Sequence, residues 1–292
     1  MSPIIERADG CASPRGAHCF TMRNGRQVEE SELGENAKAG QRSGTQSIER
    51  AIGLLREIST RGQFGWQLSD LAARCQLGKS TAHRMLICLV RERLVSQRPA
   101  DRHYIPGPML FELGLALPEL GELQYRARSR LAVLAARTSG AAFFLFRSGD
   151  DFVCAARVGG AELKALTVFP GTRRPLVTSV GGVAIMLAMP VGQARAIINR
   201  NFANLRGVGY NRARLRAIRA MLERTHAEGF AINAGDTLPG VNAFGLALRD
   251  SDGVPFAAIT VEGTAQALPL DRLPEIRRLM QSAVEDLRGA AP

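Results

Sequence analysis

From position 76 to position 84 the chain runs Gln76-Leu77-Gly78-Lys79-Ser80-Thr81-Ala82-His83-Arg84, and two chemistries compete for it. Gly78-Lys79-Ser80 matches the close of a nucleotide-binding P-loop. Ser80, Thr81, His83 and Arg84 are the short polar and cationic side chains that reach base edges in DNA. Both uses set a helix N-terminus against phosphate, because its unpaired N–H groups attract anions. The P-loop also needs a glycine five residues before its Gly-Lys pair, so that the backbone can curl round a polyphosphate. Position 73 is Ala73, and the residues before it have helical rather than strand periodicity, so a P-loop NTPase is not supported. A thiol hydrolase built on Cys154 fails on a different ground. The histidines nearest to it in sequence, His103 and His226, fall in other segments, so nucleophile and base are not paired. An enzyme is not expected, and DNA reading is.

A base-reading helix must be positioned, and the flanking residues do this. Leu68, Leu71, Ala72 and Cys75 mark a short helix, Gln76-Leu77-Gly78 a three-residue turn, and Ala82, Met85, Leu86 and Leu89 the core face of a second helix. Two closely crossing helices need a small residue at the turn, here Ala72, while Leu71, Cys75, Leu77, Ala82 and Met85 lock the pair. The second helix then presents Ser80, Thr81, His83 and Arg84 to the major groove, with Lys79 and Gln76 placed for phosphates. Upstream, a helix beginning at Ser47 carries Ile48, Ala51, Ile52, Leu55 and Ile58 on one face. Downstream, "RLVSQRPADRHYIPG" has the pattern of a β-hairpin around a Pro-Ala-Asp turn, a wing whose Arg98, Arg102 and His103 are placed for backbone or minor groove. Charge agrees: residues 47–106 carry +5 of the chain's net +11, while residues 1–46 are balanced.

Length and composition bound the remainder. A chain of 292 residues, 46% hydrophobic, is long enough for two domains. No apolar run approaches the ~18 residues of a membrane span, and the start lacks the features of a signal peptide, so a cytoplasmic location without membrane association is expected. Five scattered cysteines show no metal-ligand spacing, and neither metal nor cofactor is expected. Residues 1–45 lack apolar periodicity and are expected to form a disordered tail, within which Met22 offers a second start. After Pro108, "MLFELGLAL" and "ELQYRARSRLAVLAARTSG" are expected as helices, the second stopped by Gly140. "AAFFLFRSGDDFVCAARV" follows as two strands, "ELKALTVF" as a third, then "SVGGVAIMLAM", "ARAIINRNF" and "RARLRAIRAMLERTHAEG" as helices. "GFAIN", "AFGLALRD" and "VPFAAITVEG" are strands, and a final amphipathic helix closes the chain. Hairpins beside flanking helices imply an α+β domain with a mainly antiparallel sheet.

"TQSIERAIGLLREI", "LSDLAARCQLGKSTAHRMLICLVRERLV" and "RHYIPGPMLFELG" resemble the N-terminal domain of IclR-type bacterial transcriptional regulators. The likeness continues through "GTRRPLVTSVGGVAIML" and "HAEGFAINAGDTLPGVNAFGLALRDSDGVPFAAITVEG" to the last helix. It implies a winged helix-turn-helix over residues 46–106, a linker helix region over 107–122 and a GAF-like effector domain over 123–292. It further implies a homodimer or homotetramer on a palindromic double-stranded DNA operator, modulated by a small-molecule effector. The family's pocket stretches fall here at Leu163 and Leu166, at Arg174, Val180 and Gly181, along a loop with Asn233, Asp236, Val241 and Ala243, and at Thr260 and Glu262. Several positions depart from the family pattern, among them Asn233-Ala234, Gly235-Asp236, Gly182-Val183, Ala243 and Glu262. Arg173-Arg174 offers planar donor pairs to a carboxylate, which makes a small organic acid the expected effector. Adjacent arginines on a loop also suit a solvated pair, and an inward Glu262 would either repel an anion or pair with Arg174.

Overall fold

The computed structural model describes residues 45–160, 168–207 and 209–288. The expected tail at 1–45 therefore lies outside the described residues apart from Thr45, as does most of "ELKALTVF". Helix α1, Gln46–Arg61, is followed by α2, Leu68–Arg74, and α3, Lys79–Arg91. Leu54 and Ile58 of α1, Leu71 of α2 and Leu86 and Leu89 of α3 meet Trp66 and Tyr104 in one small core. Ala72 is buried where α2 and α3 cross. The expected face of α1 needs correcting. Ile48 and Ile52 are 58% and 43% exposed, whereas Leu54 is fully buried, because α2 and α3 cover only the C-terminal half of α1.

The turn between α2 and α3 is closed by Leu77 N–H donating to the Ala72 carbonyl and by Ala82 N–H donating to that of Gly78. Strands β1, Val95–Gln97, and β2, Tyr104–Pro106, form the hairpin, in the register Ser96↔Ile105. Trp66 and Tyr104 exchange backbone hydrogen bonds, which ties the hairpin to the segment after α1. Helix α4, Pro108–Gly114, buries none of its side chains. Helix α5, Pro118–Thr138, runs into the larger unit and ends two residues before Gly140, with Ser139 between them in the left-handed region.

Among the described residues six antiparallel strands build that unit: β3 Ala141–Ser148, β4 Asp151–Gly159, β5 Arg173–Pro175, β6 Ala231–Ala234, β7 Val241–Arg249 and β8 Pro255–Thr264. Their spatial order is β5-β4-β3-β8-β7-β6. Arg173 and Arg174, expected on a loop, instead form the edge strand β5 by pairing with Val153 and Phe152. Helices α6, Val180–Leu187, α7, Val191–Gly207, and α8, Arg212–Glu228, cover one face with Phe143, Phe152 and Ala243. Helix α5 and the last helix, α9, Leu273–Arg288, cover the other with Phe144, Phe244 and Ile259. Burial on both faces explains why "AAFFLF" is a continuous apolar run rather than an alternating one.

One close approach decides how α6 sits. A Cβ at Gly182 would stand 2.1 Å from the Leu176 carbonyl oxygen, and one at Gly181 would meet Leu145 and Thr260 at 2.5 and 2.6 Å. Only glycine lets this helix N-terminus lie against the sheet.

Candidate DNA-reading face and ligand cavity

The N-terminal turn of α3 projects Lys79, Ser80, His83 and Arg84 into solvent, while Thr81 is half-buried against the turn. Gly78 precedes the helix and makes no side-chain cap, so the first N–H groups of α3 find no side-chain acceptor in the N-cap residue. Gln76 is exposed beside them, in the left-handed region at φ 53. Polar tip and open helix end thus share one surface, which is the arrangement that accepts a phosphate backbone and reads bases beyond it.

The wing is more committed internally than its sequence suggests. Arg98 donates to both carboxylate oxygens of Asp101, at 2.9 and 2.6 Å, and to the Phe64 carbonyl at 3.2 Å. His103 Nδ1 lies 2.8 Å from the same carboxylate. Hydrogen bonding from Arg98, with help from the His103 backbone, holds Asp101 well below the usual carboxylate range. Arg98 and His103 therefore shape the hairpin turn around Asp101. Arg102, at φ 60, is left exposed at its tip.

The second feature is a cavity of about 190 Å³ between the sheet and the start of α6 and α8. Six expected residues line it: Arg174, Val180, Asn233, Val241, Ala243 and Glu262. Leu163 and Leu166 lie outside the described residues. Gly181, Asp236 and Thr260 are not among the lining residues. Gly181 is spent on the close approach of α6, and Asp236 is tied to Arg224 at 3.3 Å and caps the Ala234 N–H. Thr260 is fully buried on β8, and its hydroxyl finds no partner among the described residues.

Further wall residues come from elements whose facing the sequence does not reveal: Phe152, Thr178, Ser179, Tyr210, Arg214 and Ile218. Arg214 sits at the rim, its guanidinium 4.7 Å from the centre of the Tyr210 ring. Four arginines lie on "RARLRAIR", and periodicity alone does not say which of them turns inward. Asn233 is buried and held by Thr237, accepting from its N–H at 3.1 Å and donating to its hydroxyl at 3.0 Å.

Electrostatics set the cavity floor apart. Burial pushes the Glu262 carboxyl up to about 7, against the opposing pull of Arg157 and Arg174. Arg173, the other half of the pair, faces away and is clamped by Asp151 at 2.9 Å and by Ser148. Burial also drives the Cys154 thiol up to about 12, so it carries no thiolate near neutral pH. No group of acidic, histidine and cysteine side chains among the described residues could hold a metal ion.

Two family profiles match the chain: the IclR helix-turn-helix domain over residues 47–99, and the bacterial transcriptional regulator IclR C-terminal domain over residues 120–288. The chain belongs to the IclR family. This IclR-family chain is 28% identical over 245 residues to the glycerol operon regulatory protein of Streptomyces griseus, covering 84% of the chain and 94% of that protein. It is 23% identical over 250 residues to the transcriptional repressor AllR of Escherichia coli, covering 85% and 90%. Its fold matches an IclR-family regulator from Brucella abortus with a TM-score of 0.63 at 21% identity, over 84% of this chain and 92% of that one. An IclR homologue from Microbacterium hydrocarbonoxydans, complexed with 4-hydroxybenzoate, matches with a TM-score of 0.63 at 17% identity, over 84% and 98%. The IclR-family chain is accordingly a DNA-binding transcriptional regulator with an effector-binding C-terminal domain, and not an enzyme. Among the described residues, no helix is long and apolar enough to cross a membrane.

Proposed function

We propose that α3 reads the operator through Ser80, Thr81, His83 and Arg84, with Lys79 and Gln76 on phosphates and Arg102 as the wing's outermost contact. Arg98 and His103 contribute by holding the hairpin in shape. Residues 46–106 form the reading module, 107–122 the linker and 123–292 a GAF-like effector domain. The regulator acts in the cytoplasm as a homodimer or homotetramer on a palindromic operator. The exposed apolar side chains of α4 and its flank support assembly, since a lone helix of that composition is costly in water.

The effector on this reading is a small organic acid held in the 190 Å³ cavity, its carboxylate at the arginine side. The observation that carries the reading is the cavity itself. Apolar walls from Val180, Val241 and Ile218 enclose a few polar groups, with Arg174 among them, which is how small-molecule sites are built. Segment 169–175 borders this cavity at Arg174 and also lines a wider cleft against α1, so a ligand that moves Arg174 acts next to the DNA-binding module.

The test is binding of the full chain to promoter fragments with and without competitor DNA, repeated across a panel of acids and their amides. Specific binding altered by acids and not by amides is expected. Amides acting as strongly as acids would defeat the carboxylate assignment, and binding abolished by random competitor DNA would defeat operator reading.

A further inference from the structure

Among the described residues Glu262 is the one acidic side chain on the cavity wall, and it stands where the family resemblance places a small polar residue. Its register on β8, opposite Ala141 of β3 and Ala243 of β7, gives it only small neighbours on either side. Among the described residues its carboxylate has no ion-pair or hydrogen-bond partner, yet it lies largely out of solvent and faces open volume. Among the described residues the charged or titratable groups around it are Arg157 and Cys154 from β4, Arg174 from β5, Tyr210 just before α8 and Arg214 on its first turn. Among the same residues β3, β6, β7 and α6 bring Phe143, Asn233, Ala243, Val180 and similar uncharged side chains.

A half-buried carboxyl with no protein partner depends on whatever fills the cavity beside it, and a ligand that excludes that solvent must supply a hydrogen-bond donor in its place. A simple acid does not supply one. Its carboxylate is drawn to the arginine side, and the rest of it would leave Glu262 facing a methylene. We infer that Glu262 is the specificity-determining residue of this cavity and selects carboxylic acids that also carry a hydroxyl, with the carboxylate toward Arg174 and Arg214 and the hydroxyl donating to Glu262. This rests on the organic-acid reading above and narrows it. The space suits a small molecule: at about 30 Å³ for each water-sized unit, 190 Å³ holds on the order of six.

Protonation gives a second, independent signature. A carboxylate bound at the arginine side neutralises the pull of Arg174 on Glu262, so binding takes up a proton, and the neutral carboxyl accepts the ligand hydroxyl at its carbonyl oxygen. Affinity then falls as pH rises through about 7, by up to tenfold per unit.

Isothermal titration of the full chain with matched pairs tests the assignment: β-hydroxybutyrate against butyrate, malate against succinate, and mandelate against phenylacetate. At least one pair should show a preference of roughly tenfold for the hydroxylated member. Glu262→Leu should erase that preference. Glu262→Gln, which still accepts a hydroxyl hydrogen bond, should keep it while flattening the pH profile between 6 and 8. Equal binding within every pair, or a preference that survives Glu262→Leu, overturns the inference and leaves the organic-acid reading intact. If no acid binds, both fall. Should Glu262→Leu fail to fold, Glu262→Ala takes its place: loss of the hydroxyl preference supports the role, and survival of the preference refutes it.

Discussion

Arg84 and Glu262 show how differently two single side chains carry function. Arg84 is exposed, and on the proposed reading its worth is realised on a base edge, where one good contact discriminates by ~1–3 kcal/mol. Arg84→Ala should therefore weaken operator binding by about that amount in a titration while leaving random DNA nearly unaffected. Equal losses on both would make it a phosphate contact. Glu262 acts from within, and its burial is a stability matter even without ligand. Its folded pKa of about 7 lies above the ordinary 4.5, so the folded state favours the protonated form. That stability is complete below about 4.5 and is lost as pH rises towards 7, a loss on the order of 3 kcal/mol once the carboxyl is charged. Glu262→Gln should raise the melting temperature at pH 8 and hardly change it at pH 5. A rise of equal size at both would place its effect in packing rather than charge.

At the scale of elements, small residues decide which pieces approach closely. Ala72 lets α2 and α3 cross, which aims the polar tip of α3 outward. Gly182 does the same for α6, whose N-terminus forms one wall of the cavity through Val180. An added methyl there must displace the Leu176 carbonyl, and overpacking of this kind costs typically ~1–3 kcal/mol. Gly182→Ala is expected to lower the denaturant midpoint and to weaken acid binding, with operator affinity in the absence of ligand little changed. An unaltered midpoint would show that α6 has freedom to retreat. The wing follows another rule. Its turn is organised by the Asp101 carboxylate, which accepts from Arg98 and lies beside His103, so Arg98 and His103 brace the hairpin and Arg102 marks the tip.

The whole molecule leaves an apolar surface uncovered. Phe111 is 72% exposed and Leu115 65%, and Leu113 and Leu117 are exposed beside them. In the proposed assembly a second copy of the chain covers it, and a two-fold dimer would carry two reading helices to the two halves of a palindrome. Light scattering at micromolar concentration should report a dimer or tetramer. The double substitution Phe111→Glu with Leu115→Glu should shift it towards monomer and reduce operator affinity, with helical content retained in circular dichroism. A wild-type monomer that binds its operator specifically would contradict this.

Local chemistry was legible from residues alone. The turn 76–78 and the polar tip at 79–84 depend on neighbours within a few positions, and the structure places each there. So do the hairpins around 149–150 and 251–253, since turn residues act over short range. Facing is another matter. Ile48 and Ile52 belong to an apolar stripe on α1, yet no element reaches them, and the burial of Leu54 depends on where α2 and α3 stop. Arg173 and Arg174 are adjacent in sequence and opposite in role, because pairing with β4 turns one to Asp151 and the other to the cavity. Arg214 and Tyr210 join that cavity only because α8 packs across the sheet. Periodicity marks an element's faces, but only packing decides what each face meets, and the depth at which Glu262 is buried is set by strands and helices far from it in sequence.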